Sequence, residues 1–106
     1  MKLTQSEALD VHKQIIAKAN AIVLDKRKRY SGTVDPFGNF RLAGPLADVE
    51  DWQGVLVRLG DKLSRIKQMA KAGITQADFD DLMENDFPDI LNYNGILAGL
   101  LKEKIK

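Results

Sequence analysis

The chain has 106 residues, of which 44% are hydrophobic and 29% charged, so its composition is that of one folded domain and not of a disordered segment. A net charge of +1 argues against a protein that covers a long stretch of nucleic acid, and the lack of cysteine excludes disulfides, thiolate metal sites and cysteine nucleophiles. No apolar run is long enough to span a membrane and the N-terminus lacks the apolar segment of a signal peptide, so we expect a cytoplasmic protein. A chain this short builds a modest core, so we also expect a homo-oligomer, either a dimer or a tetramer.

The first predicted helix spans residues 5–29. Thr4 and Glu7 have the spacing of a capping box, in which a hydroxyl and a carboxylate bond the unpaired N–H groups of a helix start. Apolar residues then recur at steps of three and four along the segment, which is the period of one helix face. Tyr30 follows the basic end of this helix and could stack on a base, although a basic helix end is more often simply solvated.

The stretch YSGTVDPFGNFRLAG, residues 30–44, is predicted to be a long irregular loop. It combines three glycines, a proline and three aromatic residues, and the DPFGN segment has the residues of a tight turn. A loop of this length inside a small domain is uncommon and is usually either functional or disordered. The aromatic residues argue against disorder.

Three further helices are predicted after the loop. Residues 46–71 keep the helical period and precede Gly73, which suits a C-terminal cap. A short helix is expected at residues 76–84, and a last long helix at residues 87–105 because Pro88 is tolerated only in a first turn. Strand-like alternation is absent, so the sequence predicts an all-α fold, a small bundle of three long helices and one short one, completed by oligomerisation.

Four charged residues on the second long helix form one candidate site. Arg58, Asp61, Lys62 and Arg65 are spaced i, i+3, i+4 and i+7, which places them on one helix face. Three cations around one carboxylate could hold a phosphate or diphosphate, with Asp61 orienting an arginine or binding a metal ion. The alternative is a solvated face of ion pairs, and spacing alone favours it.

The last helix carries a second polar cluster. Asp89, Asn92 and Tyr93 are spaced i, i+3 and i+4 in an otherwise apolar segment. They could complete a cation site or contact a base edge. Equally, Asp89 could cap the helix start while Asn92 bonds a neighbouring helix.

An acidic run precedes and enters the last helix. Its members are Asp78, Asp80, Asp81, Glu84, Asp86 and Asp89. Asp81 with Glu84, and Asp86 with Asp89, have the i, i+3 spacing of helical metal sites. We expect Pro88 to interrupt the helix, so the two pairs should not share one face. A solvated acidic surface is therefore the expected role of the run.

Three segments of the sequence resemble a known family. YSGTVDPFGNFRLAG, GVLVRLGDKLSRI and DILNY are similar to the nucleotide modification associated domain 1 family of small phage and prophage proteins. That family is itself similar to the MazG-like all-α nucleotide pyrophosphohydrolases. The resemblance covers residues 30–97, and its most specific parts are DPFGNF and RLGDKLSR.

The resemblance implies a nucleotide-handling protein in the cytoplasm of an infected bacterium. In MazG-like enzymes carboxylates from two helices hold Mg²⁺ against nucleotide phosphates, and the matching positions here are Asp61 and Asp89. Phosphate contacts would come from Arg58, Lys62 and Arg65, and Asn92 and Tyr93 match the end of the last family segment. The loop would offer Phe37, Asn39, Phe40 and Arg41 to a base or sugar, although Phe37 and Phe40 could equally fill a gap between helices.

These observations predict a phage-type protein that binds or sequesters a free, modified or signalling nucleotide, with no membrane or nucleic-acid partner. The chain lacks the ExxE and ExxD pairs of active pyrophosphohydrolases, which favours binding over hydrolysis. One alternative is a Mg²⁺-dependent nucleoside triphosphate pyrophosphohydrolase. A second is a ligand-free helical module that binds a host protein, with Gly95 and Gly99 allowing close approach of another helix.

Overall fold

The computed structural model describes residues 1–29, 41, 44 and 46–106, and for residues 26–29 it describes the backbone alone. The helices are α1 (Gln5–Arg29), α2 (Asp51–Ala72), α3 (Gln76–Asp81) and α4 (Phe87–Lys102), with one π-helical turn (Leu82–Asp86) between α3 and α4. All regular structure in these ranges is helical, which confirms the predicted all-α class. Within the same ranges no helix is both long and apolar enough to cross a membrane.

The predicted capping box at the start of α1 is present, and α3 begins with a second one. The N–H of Thr4 donates to the carboxylate of Glu7 over 3.0 Å, and the N–H of Glu7 donates to the Thr4 hydroxyl over 3.1 Å. Thr75 and Asp78 make the same exchange at the start of α3, with both bonds at 3.1 Å. Each pair satisfies N–H groups that the helix itself leaves unpaired, so the sequence locates these two helix starts correctly.

The start of the second long helix was predicted too early. Helix α2 begins at Asp51 and not at residue 46. The backbone of Asp48 has φ of 56°, a left-handed conformation that a right-handed helix does not contain. The helix instead starts after Glu50, whose N–H donates to the side-chain oxygen of Gln53 over 2.8 Å.

The predicted break at Pro88 does not occur, and the last helix ends at Lys102 and not at residue 105. The chain is helical from Gln76 onward because the π-helical turn joins α3 to α4 directly. Phe87 closes this turn by donating its N–H to the carbonyl of Leu82, five residues earlier. Pro88 lacks an N–H and its ring crowds the carbonyl of the preceding turn, so a wider turn at this position accommodates it.

Helix α4 packs against both α1 and α2 and so lies at the centre of the fold. The fully buried apolar side chains in the described ranges are few: Ala19, Val55, Leu82 and Leu100, with Pro88 beside them. Even Trp52 of α2 is only half-buried, and its indole N–H donates to the carboxylate of Glu50. The core of one chain is therefore thin.

Candidate functional site

The candidate site lies along the contact between α2 and α4. We call it the α2–α4 seam, and it comprises Arg58, Asp61, Lys62, Arg65, Asp86, Asp89 and Tyr93. Its cross-helix pairs run in opposite directions along the two helices, since residue 58 meets 93, residue 62 meets 89 and residue 65 meets 86. The two helices are therefore antiparallel, and the predicted cation face of α2 looks onto the polar cluster of α4.

Arg58 lies at the open end of the seam. Its guanidinium donates to the hydroxyl of Tyr93 over 3.4 Å, a long and therefore weak hydrogen bond. This hydrogen bond is the main cause that raises the pKa of Arg58, and the charges of Asp61 and Asp89 add to the effect. The side chain is exposed, so an incoming anion can approach its planar fork of donors.

Lys62 and Asp89 form the central pair of the seam. The Lys62 ammonium nitrogen lies 3.1 Å from Oδ2 of Asp89, and the two side chains are 23% and 30% exposed. An ion pair this accessible contributes at most about 1 kcal/mol. A phosphate that offers Lys62 more charge than one carboxylate can therefore compete for it.

The predicted magnesium ligands, Asp61 and Asp89, lie on the two facing helices of the seam. Asp89 is already neutralised by Lys62. In the described ranges no three His, Cys, Asp or Glu side chains stand close enough to share one ion. In proteins Mg²⁺ is usually bound by one or two carboxylates together with the phosphates of a substrate. Asp61 and Asp89 would therefore hold the ion only together with a bound phosphate.

Arg65 is committed to the protein itself. Its two terminal nitrogens donate to Asp81 of α3 and to Asp86 of the π-helical turn. These two hydrogen bonds raise the pKa of Arg65, and the one to Asp81 lowers the pKa of that carboxyl. The structure thus places Arg65 in an intramolecular fork and not in position to bind phosphate.

Asp86 corrects the expectation that the acidic run is a solvated surface. It is completely buried, and its Oδ1 accepts from Arg65, while its Oδ2 has no hydrogen-bond partner among the residues that the structure describes. Sequence reasoning missed this residue because it expected a break in the helix at Pro88. The available signal is the five-residue step between Asp81 and Asp86, the hydrogen-bond spacing of a π-helical turn, just before a proline.

Two other predicted contacts lie away from the centre of the seam. Asn92 donates to the backbone carbonyl of Ala19 over 3.2 Å, so its amide joins α4 to α1. Arg41 pairs with Glu103 at 2.8 Å, ten residues beyond Tyr93 and so about 15 Å farther along the α4 axis. The predicted loop contacts Tyr30, Phe37, Asn39 and Phe40 lie outside the described residues.

Comparison with protein families, with curated proteins and with solved structures finds no match to this chain.

Proposed function

We propose that this protein binds a phosphate-bearing nucleotide at the α2–α4 seam and sequesters it without hydrolysis. One observation carries the proposal: Arg58 and Lys62 lie one helical turn apart and are at least partly accessible, with Arg58 donating to the Tyr93 hydroxyl over 3.4 Å and Lys62 paired with Asp89. The ligand class is a free nucleotide, a modified deoxynucleotide or a nucleotide-derived signal.

The charges of the seam favour a phosphate replacing Asp89 as the partner of Lys62. Arg58 and Lys62 are offset by Asp61 and Asp89, so the empty seam is close to neutral. A di- or triphosphate would bring several negative charges and more acceptor oxygens than Asp89 offers. The bonds from Lys62 to a carboxylate and to a phosphate are both charge-assisted, so the larger charge of the phosphate group is what supports it as the preferred partner.

The resemblance to the nucleotide modification associated domain 1 family supports a nucleotide over a bare anion. The segment that resembles this family includes Tyr30, Phe37 and Phe40, aromatic residues of the kind that stack on bases. In the proposal they contact the base while Arg58 and Lys62 hold the phosphates. On this proposal the protein acts in the cytoplasm of a phage-infected bacterium.

One observation favours a second candidate, a Mg²⁺-dependent nucleoside triphosphate pyrophosphohydrolase. Asp61 and Asp89, from facing helices, both help to raise the pKa of Arg58, so both carboxylates lie within electrostatic range of the same guanidinium. Such a pair could hold a magnesium ion that enters with the nucleotide. The shortage of a third carboxylate in the described ranges makes this the weaker candidate.

Calorimetric titration of the purified protein with the common ribo- and deoxyribonucleoside triphosphates, ADP-ribose and cyclic dinucleotides tests both candidates. Each titration is run with Mg²⁺ and with EDTA, and released pyrophosphate is measured in parallel. Binding of at least one compound in EDTA without pyrophosphate release is the expected result. Turnover that requires Mg²⁺ would support the pyrophosphohydrolase, and no heat with any compound would contradict both.

A further inference from the structure

The chain exposes more surface than a compact monomer of its mass. Its accessible area is 8,092 Å², whereas a monomer of 11.8 kDa is expected to expose about 5,900 Å². The radius of gyration is 16.0 Å, compared with about 13 Å for a compact domain of this length. The excess of about 2,200 Å² falls within the roughly 1,000–2,500 Å² that each partner buries in an obligate dimer.

Part of this surface is an apolar groove between α1 and α4. It has a volume of about 260 Å³, and its walls include Ile15 and Ile16 of α1 and Phe87, Ile90 and Leu91 of α4. The residues that line it include no Asp, Glu, Lys or Arg. A surface without charge does not repel its own copy, so the groove can face an identical groove.

The apolar surface continues along α1 beyond the groove. Leu9, Ile16 and Val23 are spaced seven residues apart and are 50%, 38% and 38% exposed. This heptad spacing keeps three large side chains on one side of a helix, as in helices that pack against another helix. No other helix covers these three side chains in the described part of one chain.

Gly95 extends the same surface on α4, one turn beyond Leu91. A Cβ added at Gly95 would meet no atom of the described residues within 4 Å, so no contact in that part of the chain requires glycine there. Glycine inside a helix costs about 1 kcal/mol relative to alanine. A glycine beside an apolar groove is what close approach of a helix from outside the protomer requires.

We propose that two copies of this chain pack against each other through the α1–α4 face, defined by Leu9, Ile16, Val23, Leu91 and Gly95. In a two-fold dimer the same patch meets itself, so the uncharged groove and the exposed heptad residues cover their counterparts. The contact supplies the apolar burial that the thin core of one chain lacks. It leaves the α2–α4 seam on a different side of α4 and does not depend on nucleotide binding.

Sedimentation equilibrium of the full chain tests this interface with a pair of matched variants. Gly95→Leu adds a side chain that fits the single protomer and improves helix propensity, so the protein should stay folded. Within the proposed contact the added side chain overpacks the interface, and the dimer should weaken roughly tenfold or more. Gly60→Leu is the control, because Gly60 is equally open and lies in α2, away from the proposed face.

The outcomes separate the possible contacts. A dimer weakened by Gly95→Leu and unchanged by Gly60→Leu supports the α1–α4 face, and Ile16→Lys should then give a monomer. A wild-type chain that is folded and sediments as a monomer at every concentration would overturn the proposal. It would be overturned even if this monomer bound a host protein through the same face. A dimer that responds to Gly60→Leu alone would also overturn it, because the contact would then involve α2.

Discussion

Lys62 of α2 and Asp89 of α4 are paired at 3.1 Å across the helix contact, with about a quarter of each side chain exposed. The pair joins the two segments that the sequence marked out separately, a cation face and a carboxylate cluster. At the proposed site, a ligand phosphate would compete with Asp89 for Lys62. The strength of that competition distinguishes a nucleotide-binding site from a structural ion pair.

Asp89→Asn should tighten nucleotide binding in the absence of Mg²⁺. The substitution releases Lys62 and removes a carboxylate that repels phosphate, so we expect roughly threefold to tenfold higher affinity by titration calorimetry in EDTA. The pyrophosphohydrolase alternative predicts the opposite sign when Mg²⁺ is present, because Asp89 would then be a metal ligand. Unchanged affinity under both conditions would mean that ligand phosphate does not meet Lys62.

Arg65→Met should destabilise the protein strongly, and adding Asp86→Leu should restore much of the loss. The single variant leaves Asp86 as a buried carboxylate without its cation, a situation that costs about 3–5 kcal/mol. The double variant replaces the charge with an apolar side chain. Urea denaturation measures both, with Arg58→Met as a control on the same face that should change stability little.

The rescue is the informative part of that experiment. If the double variant is less stable than Arg65→Met alone, then Asp86 is stabilised by groups other than Arg65. That result would contradict the role of Arg65 as the cation that stabilises Asp86, however much stability Arg65→Met alone loses.

Acid should weaken the fold through Asp81. The hydrogen bond from Arg65, followed by one from Asn85, holds the pKa of Asp81 below its unfolded value of about 3.9. Because the folded pKa is the lower of the two, ionised Asp81 stabilises the fold fully at pH values above the unfolded pKa. This stabilisation is lost as the pH falls through the folded pKa. Urea midpoints measured from pH 7 down to pH 3 should fall less steeply for Asp81→Asn than for the wild type.

Asn92→Ala should lower stability and leave nucleotide affinity unchanged. The Asn92 amide bonds the Ala19 carbonyl of α1, and losing such a half-buried hydrogen bond costs about 1 kcal/mol. Gln68→Ala, at an exposed position on α2, is the control and should alter neither property. A large loss of affinity in Asn92→Ala would show that this amide contacts the ligand as the family resemblance implies.

The sequence predicts the fold well where local chemistry decides it. Thr4 caps α1 as expected, and Thr75 caps α3 in the same way, because a capping box involves only residues three apart. Gly73 ends α2 with φ of 91°, a conformation that glycine adopts readily. The start of α2 was misplaced because Glu50 is not a usual N-cap residue, so the turn before it gave no clear signal.

The candidate site was only partly predictable. Helix spacing places Arg58 and Lys62 on one face, and the antiparallel contact with α4 then brings them to Tyr93 and Asp89. The role of Arg65 was not predictable, because it depends on a π-helical turn that buries Asp86 beneath the guanidinium. Three- and four-residue periodicity does not predict such a turn, and the five-residue step from Asp81 to Asp86 before Pro88 is the one local signal of it.

The most direct test of the account compares two lysine substitutions on α2 by titration calorimetry. Lys62→Met and Lys67→Met remove the same charge from the same helix, but only Lys62 belongs to the seam, and Lys67 is exposed. With a nucleoside triphosphate that binds the wild type, Lys62→Met should lose roughly tenfold to a hundredfold in affinity, the value of one charged hydrogen bond, and Lys67→Met should lose little. Equal losses in the two variants, or none in Lys62→Met, would contradict nucleotide binding at the α2–α4 seam.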